Sequence, residues 1–427
     1  MSIPLDRLYH YIESIAEDYV VIYRFFPHGS KKAEDLGQLQ TYTWTELVSR
    51  YEIYCNDQEP LNYDFYPDGG NLLPHHKGPI VENNIPIPTG FNFKKGFFNI
   101  YDQSLLLHSE RRSAEVGKYQ QGHFIPVYYW SHAVIAQDWF RYAEHVTQKK
   151  SVEKLFLIYN RAWSGTREYR LGFADRLIWN QLVNDCIMRI SPVDSTLDKH
   201  YDLHTFDHPH WRPMNVLEEY FPLCEAESHY SADFDQEDYE STNIEVVLET
   251  LFDDQRLHLT EKTLRPIAMG QPFMLAGTYG SLKYLHEYGF KTFSDCWDES
   301  YDMMSDSLER MNKIVEVMKY IASMDLDEKE QMLLRAQTIA NYNKQYFFSK
   351  EFFNLVSGEL KTNLNVAIQQ LEKTNTSQQF FHYNNLFASK SGLKEIVTGL
   401  LPDKTPEDIT EVTNKAHQYK LRSLSQD

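Results

Sequence analysis

The sequence is short of paired cysteines, of long apolar runs and of positive charge. Its 4 cysteines are scattered over 427 residues without a CxxC pair, which predicts reduced, buried thiols of a cytosolic protein rather than a disulfide framework. No apolar run approaches membrane-spanning length, and the N-terminal stretch carries acids instead of an apolar signal-peptide core. We therefore expect a cytoplasmic protein with no membrane partner.

The shortage of positive charge bears on binding partners. Lys and Arg number 42 against 61 Asp and Glu, giving a net charge of -19. This balance argues against a protein that coats nucleic acid through general electrostatics, although a local basic cleft remains compatible with it. No internal repeat or low-complexity tract occurs, and the 29 Tyr and 25 Phe are typical of a folded globular chain of two or three domains.

Strands alternate with helices along most of the chain, which predicts an α/β fold. Residues 18–26 and 124–130 are predicted as strands, 42–54 and 111–118 as helices, and 61–66 as a further strand, with a loop over 67–90. Apolar stripes at helical spacing predict three C-terminal helices over 307–324, 328–347 and 351–373. We expect domains at 1–150 and 151–304, each a Rossmann-like half facing the other across a cleft, and a helical part at 305–427.

One stretch organises the second half. Ile244–Leu248 reads as a buried strand with Glu249 at its carboxyl end, and Thr260 is placed to cap a helix from Glu261 that Gly270 closes. Ligands of open α/β sheets bind outside the carboxyl ends of the strands. A helix N-terminus with Lys262 beside it favours an anion such as a diphosphate, and carboxylates accept hydrogen bonds from sugar hydroxyls. The alternative is that Glu261 only complements the helix dipole and Lys262 is a solvated charge.

A second strand–loop–helix unit adds arginines to the same edge. The apolar strand Lys154–Tyr159 leads into a helix predicted to start near Thr166. Arg161, Arg167 and Arg170 flank that helix start, and guanidinium groups bind phosphate oxygens bidentately. Either the three bind the same diphosphate as Lys262, or they are exposed surface arginines.

The segment from Glu249 through Thr260-Glu261-Lys262 to Pro272-Phe273-Met274-Leu275 resembles the donor-binding segment of α1,3-fucosyltransferases, which have the GT-B fold. With its GSLKYL and DESYD continuation it also resembles glycosyltransferase-like proteins of tailed phages. The resemblance covers about sixty residues, and Pro266 departs from it because proline interrupts helical hydrogen bonding.

The resemblance implies a nucleotide-sugar-dependent glycosyltransferase in which Glu261 and Lys262 hold the donor, with no metal or other cofactor required. Residues 1–150 would then be the acceptor side and 151–304 the donor-binding domain. For a phage enzyme the location would be the host cytoplasm, and the acceptor a hydroxymethylated base in phage DNA, which has to leave the base stack. A glycan or protein acceptor, or a non-catalytic glycosyltransferase-like protein, are the alternatives.

Inverting transfer requires a general base for the acceptor hydroxyl, and the first region offers His132, Asp138 and Glu110. His132 ranks first, although it can equally cap a helix while Asp138 pairs with Arg141. Three further cations provide candidate contacts to DNA phosphates, or simply one face of a surface helix. They are Arg111, Arg112 and Lys118.

Two motifs have metal-ligand spacing. Asp233-Phe234-Asp235 is formally a DxD motif, but it lies in an acidic run that is more simply a solvated loop. The spacing of His204, His208 and His210 with Asp207 is compatible with zinc, but no cysteine lies near and prolines stiffen the stretch, which favours a polar loop. No metal site is predicted.

Overall fold

A computed structural model describes residues 19–23, 51–56, 81–82, 85–86, 104–113, 124–160, 162–194, 197–214, 234–374, 394, 405–411 and 414. The chain divides into two compact units. Unit 1 comprises Met1–Ser109, Ala114–Ser131 and Gly358–Asp427, and unit 2 comprises Glu110–Ser113 and His132–Ser357. None of the helices among the described residues combines the length and apolar character needed to cross a membrane.

Unit 1 contains a parallel sheet of four strands in the order β1-β2-β5-β6. A separate two-stranded antiparallel pair is formed by β3 and β4. The strands are β1 (Tyr19–Tyr23), β2 (Tyr51–Asn56), β3 (Val81–Glu82), β4 (Ile85–Pro86), β5 (Ser104–His108) and β6 (Phe124–Tyr128). The spatial order follows the chain order, so the described strands of this sheet show no reversal of winding.

Strands β1 and β6 confirm the strands predicted at 18–26 and 124–130. The helix predicted at 42–54 is wrong for its last four residues, which belong to β2. Ile53 pairs with Val21 on one side and with Leu105 on the other, and this central position in a sheet outweighs a local helical pattern. Strand β5 was not predicted, and the predicted strand at 61–66 lies outside the described residues.

Unit 2 also contains a four-stranded parallel sheet, in the order β12-β11-β7-β8. A two-stranded antiparallel pair, β9 and β10, accompanies it. The elements are α1 (Ser131–Trp139), β7 (Lys154–Asn160), α2 (Tyr169–Trp179), β8 (Cys186–Ile190), β9 (Val193–Asp194), β10 (Lys199–His200), α3 (Gln236–Glu240), β11 (Thr242–Leu248), α4 (Glu261–Met269), β12 (Phe273–Ala276), α5 (Ser281–Glu287), α6 (Ser307–Ser323), α7 (Leu326–Phe347) and α8 (Lys350–Thr374).

The winding of this sheet reverses once. From β7 the chain moves outward to β8, then returns to place β11 on the other side of β7 and continues outward to β12. The reversal lies between β7 and β11. Both strands are almost wholly buried, as expected for apolar strands in a parallel sheet that is covered on both faces. Such a reversal is the topological switch point at which open α/β sheets bind ligands.

The ends of α4 follow the sequence prediction. The Thr260 side chain accepts a hydrogen bond from the Lys262 amide, and Gly270 ends the helix with φ 70°, a left-handed conformation that glycine adopts without a Cβ penalty. The helix continues through Pro266 to Met269 instead of ending there. The Pro266 carbonyl accepts from the amide of Gln271 at 2.9 Å.

The three predicted C-terminal helices are confirmed as α6, α7 and α8. The side chain of Asp306 caps α6 and that of Asp325 caps α7, each accepting from an amide three residues later. Both helices belong to unit 2, and α8 passes into unit 1 at Gly358. The units are therefore cut differently from the predicted domains 1–150, 151–304 and 305–427, while the mixed α/β class is confirmed.

Candidate anion site at the sheet edge of unit 2

The carboxyl ends of β7, β11 and β12 meet at one edge of the unit 2 sheet because the strands are parallel. Asn160, Leu248 and Ala276 end these strands. Lys150 lies at the opposite edge, where its ammonium donates to the carbonyls of Tyr239 and Thr242, and burial lowers its pKa to about 8. Lys150 is therefore at the other edge of the sheet from the predicted donor residues that follow β7 and β11.

Arg170 is a backbone clamp in this structure. It is 2 % exposed, and its guanidinium donates to the carbonyls of Ala162 at 2.6 Å, Leu248 at 2.8 Å and Glu249 at 3.0 Å. The neighbouring Tyr169 hydroxyl donates to the Glu249 carbonyl at 2.6 Å. The first turn of α2 thus satisfies carbonyls where β11 ends, and both terminal nitrogens of Arg170 are engaged there instead of facing a ligand.

Glu249 is also engaged within the protein. Its carboxylate accepts from the Thr260 amide at 2.9 Å, the Thr260 hydroxyl at 2.8 Å and its neighbouring Thr250 amide at 3.0 Å, and it accepts a fourth bond from the Thr263 hydroxyl. Two carboxylate oxygens offer about four acceptor positions. Glu249 therefore holds the start of α4 against the end of β11, and this is a positioning role.

Glu261, Lys262 and His132 form a buried cluster at the N-terminus of α4. The Lys262 ammonium donates to Glu261 Oε1 at 2.7 Å, and His132 Nε2 lies 3.3 Å from Glu261 Oε2. Both Glu261 and His132 are fully buried. Burial lowers the pKa of Lys262, and Glu261 opposes that shift. The ring of His132 also contacts that of His258, with 5.2 Å between centroids.

Arg167 differs from Arg170 because its guanidinium has N–H donors beyond the one that it uses within the described residues. Within the described residues this guanidinium makes one hydrogen bond, from Nε to the Ser164 carbonyl at 3.1 Å, and it forms no ion pair. Its positive charge adds to burial in lowering the pKa of Arg170, whose own charge acts likewise on Lys262. Arg167, Arg170 and Lys262 therefore share one positive field, in which Gly165 and Thr166 are exposed to solvent.

Two buried acids not singled out in the sequence hold this loop. Asp194 accepts from the amides of Trp163 at 2.6 Å and Ser164 at 2.7 Å. Glu168 accepts from His204 Nε2 at 2.7 Å and from the Asp207 amide at 3.0 Å. Asp194 follows the carboxyl end of β8. That position in the sequence was the signal from which a role for Asp194 at this edge could have been predicted.

The predicted DNA contacts Arg111 and Arg112 are not helical. Arg111 forms an isolated antiparallel bridge with Leu257, and Arg112 has φ 57°. Arg111 forms an ion pair with Glu287, and Arg112 lies 3.9 Å from the centroid of the Tyr279 ring and donates to its carbonyl. The prediction of a helix at 111–118 is wrong for these two residues, because the Arg111 backbone pairs with Leu257 and Arg112 has a left-handed backbone. Arg112 remains exposed.

The other predicted site residues are placed as follows. Glu110 is buried at 4 % exposure beside that bridge. Asp138 lies in α1, although the position of its side chain is outside the described part. Arg161 and Lys118 lie outside the described residues.

In the DxD motif, Asp235 caps α3 by accepting from the Glu237 amide at 2.8 Å, and Asp233 lies outside the described part.

The sheet edge has several features that favour an anion. It combines a switch point, the N-terminus of a helix longer than two turns, an arginine with spare donors and a buried lysine, all of which favour phosphate oxygens. Comparison with known proteins adds no assignment, because no protein-family model, no curated protein and no solved structure matches the chain.

Proposed function

We propose that the protein is a glycosyltransferase that binds the diphosphate of a nucleotide-sugar at the switch point of unit 2. The observation that carries the proposal is a series of charge interactions at the edge between β7 and β11, in which Arg167 acts on Arg170 and Arg170 acts on Lys262 in the first turn of α4. The two four-stranded parallel sheets, one in each unit, support a GT-B-like chain of two Rossmann-like halves. The likeness of the Thr260–Lys262 segment to fucosyltransferases supports the choice of donor.

Group transfer explains why cations at this edge would matter for rate as well as for binding. The acceptor oxygen forms a bond to the anomeric carbon, the bond from that carbon to the diphosphate oxygen breaks, and the hydroxyl proton passes to a base. Negative charge grows on the departing nucleoside diphosphate. Arg167 and Lys262 would stabilise that charge more strongly in the transition state than in the ground state, which is the condition for catalysis.

In this proposal His132 is a positioning residue. A general base has to touch the acceptor hydroxyl, whereas His132 is fully buried against Glu261. We propose that His132 orients Glu261, which in turn positions the Lys262 ammonium. Which of His132, Asp138 and Glu110 acts as the general base stays a prediction.

The acceptor is a second level of the proposal. A hydroxymethylated base in DNA remains our first candidate because of the resemblance to phage proteins. Arg111 is already paired with Glu287, so DNA contacts from this part of the chain rest chiefly on the exposed Arg112.

The test is donor binding by the full chain. Nucleotide-sugars with different bases and sugars are screened by thermal shift, and the affinity of the best one is measured by calorimetry for Arg167→Met, Lys262→Met and the control Lys319→Met. Lys319 is exposed on α6 and donates to Asn180 at 3.1 Å. Losing one charge-assisted contact of about 1.5–3 kcal/mol should weaken binding by roughly 10- to 100-fold in the first two variants only.

The Arg167 variant keeps the experiment decisive if removal of buried Lys262 unfolds the protein, because the Arg167 side chain makes one hydrogen bond among the described residues. No shift with any nucleotide-sugar, or equal affinities for wild type and Arg167→Met, would refute the donor site. Binding without turnover on DNA, glycan or protein acceptors would leave a non-catalytic sugar-nucleotide binding protein.

A further inference from the structure

A cluster of two histidines and an aspartate shares no residue with the predicted donor site, although Glu168, next to Arg167 in the chain, accepts a hydrogen bond from the His208 amide. The ligand atoms of His208, His210 and Asp253 all lie within 4.8 Å of one another, and the three side chains are exposed. His210 Nε2 is 3.7 Å from Asp253 Oδ2, and the two imidazole centroids are 5.5 Å apart. His204, which sequence spacing grouped with these histidines, instead pairs with Glu168.

Buried residues hold the backbone that carries the two histidines. His208 and His210 flank Pro209 in a short 3-10 turn that ends at Trp211. The buried carboxylate of Glu168 accepts from the His208 amide at 3.3 Å, and Trp211 is 1 % exposed. The turn therefore fixes the backbone of both histidines, whose side chains are exposed.

Asp253 is oriented by the same tryptophan. Trp211 Nε1 donates to Asp253 Oδ2 at 3.2 Å, and the His210 ring packs edge-on against the Trp211 ring with centroids 4.3 Å apart. Groups that hydrogen-bond or pack against metal ligands commonly set the ligands' orientation. Trp211 thus links one ligand from the 209–211 turn with one from the loop after β11.

We propose that His208, His210 and Asp253 bind a zinc ion with three protein ligands and one open coordination position. Two imidazole nitrogens and a carboxylate match zinc better than magnesium or calcium, which prefer oxygen ligands. Bonds of about 2.0–2.1 Å in a tetrahedron place ligand atoms roughly 3.3 Å apart. His210 and Asp253 are already near that spacing, and rotation of exposed side chains closes the rest.

The zinc proposal uses none of the proposed donor residues and does not depend on the donor function. Three protein ligands leave the fourth position to water or to an anion, the arrangement that zinc has where it takes part in chemistry, whereas purely structural sites use four. The ligand class is therefore a divalent transition metal together with one exchangeable small ligand.

The test is zinc binding by the untagged full chain, measured by competition with a chromophoric chelator, with Co²⁺ absorption as a second readout. Wild type should bind one ion at this site. His210→Ala and Asp253→Asn should lose that ion or bind it at least about tenfold more weakly. The matched control is His145→Ala, since His145 is an exposed histidine 3.8 Å from the carboxylate of Glu144.

The ligand residues are exposed, so these variants should fold, and circular dichroism checks that they do. Zinc should raise the melting temperature of wild type and of His145→Ala, but not that of His210→Ala or Asp253→Asn. No zinc binding by wild type, or equal binding by His210→Ala, would overturn the proposal. A tetrahedral Co²⁺ spectrum that survives in His210→Ala and disappears in His145→Ala would place the ion elsewhere.

Discussion

Arg167 and Arg170 are three residues apart, yet their guanidinium groups have different surroundings. Arg170 donates to three backbone carbonyls at the end of β7 and β11, whereas the Arg167 guanidinium makes one bond through Nε. Arg310 in α6 binds the backbone in the same way as Arg170, because its guanidinium donates to the carbonyls of Phe252 and Gly277. Arg170 and Arg310 thus build the edge, and Arg167 is the arginine with spare donors among those that the structure describes there.

Replacing Arg170 should therefore reduce stability. Arg170→Met removes the guanidinium donor from the buried carbonyls of Ala162 and Leu248, each worth about 1–3 kcal/mol, whereas the Glu249 carbonyl keeps the Tyr169 hydroxyl as a donor. The free energy of unfolding in urea should therefore fall by roughly 2 kcal/mol or more. Arg176→Met on the same helix is the control. Arg176 lies on the partly exposed face and should cost about 1 kcal/mol or less. A variant with unchanged stability but weaker donor binding would show that Arg170 contacts the ligand instead.

Glu299 should make stability depend on pH. Burial raises the pKa of its carboxyl to about 7, although the Phe293 amide donates to it at 2.9 Å. Since the folded protein holds this proton more tightly than the unfolded chain, the contribution to stability is complete below about pH 4.5 and is lost as the pH rises to about 7.

Glu299→Gln keeps the acceptor for the Phe293 amide and removes the titration. Its free energy of unfolding should exceed that of wild type by about 1–3 kcal/mol at pH 8 and approach it at pH 4.5, as measured by urea unfolding across that range. Glu330→Gln, an exposed change on α7, should follow wild type throughout. The same decline with pH in Glu299→Gln as in wild type would argue against this assignment.

At the scale of the element, α4 and α8 offer two glycines with opposite requirements. Gly270 ends α4 at φ 70°, and an added Cβ there would meet Lys344 Cδ at 3.1 Å. Gly358 lies within α8, and no atom lies within 4 Å of the position its Cβ would take.

The same substitution should therefore have opposite signs at the two positions. Gly270→Ala should lower the melting temperature, at a cost of about 1–2 kcal/mol for left-handed backbone. Gly358→Ala should raise it, with a gain of about 0.5–1 kcal/mol in stability, because alanine favours a helix interior over glycine. Two changes of the same sign would mean that packing, and not backbone conformation, dominates at one of the sites.

The elements predicted correctly are those whose signals are local. Thr260 as a cap and Gly270 as a terminator define α4 without tertiary help, and apolar stripes define α6 to α8. Residues 51–54 were misassigned because β2 acquires its conformation from partners on both sides. The start of α4 at Thr260 and Glu261 is confirmed, and the donor site at this edge stays a prediction. The roles of Arg170 and Glu249 were not predicted, because they depend on where strand ends and helix starts meet in space.

At the scale of the whole molecule, the charge of -19 restricts how the chain can meet a polyanion. Of the candidate DNA contacts that the structure describes, Arg111 is paired with Glu287 and Arg112 donates to the Tyr279 carbonyl, so little positive charge there remains available to phosphates. Each neutralised phosphate contributes a slope of about 0.9 to the salt dependence of the logarithm of the binding constant.

We therefore expect weak DNA binding with a shallow salt slope, and sugar transfer only to DNA whose bases carry a hydroxyl. Nucleoside mass spectrometry on hydroxymethylated and plain DNA, with the donor found by thermal shift, measures this. Plain DNA is the control because it lacks the oxygen nucleophile. Turnover on a glycan with none on either DNA would exclude the DNA acceptor and leave the donor site intact.

The return of α8 to unit 1 has a consequence for biosynthesis. Asn363 in α8 donates to the carbonyl of Tyr128 at the end of β6 at 2.8 Å, so residues 235 positions apart complete one unit. A ribosome adding about 5–20 residues per second needs roughly 10–50 s to make that interval. The contiguous stretch His132–Ser357 is synthesised before the part of α8 that belongs to unit 1, so unit 1 stays incomplete during this interval. We therefore expect the nascent N-terminal region to bind a chaperone until α8 has been made.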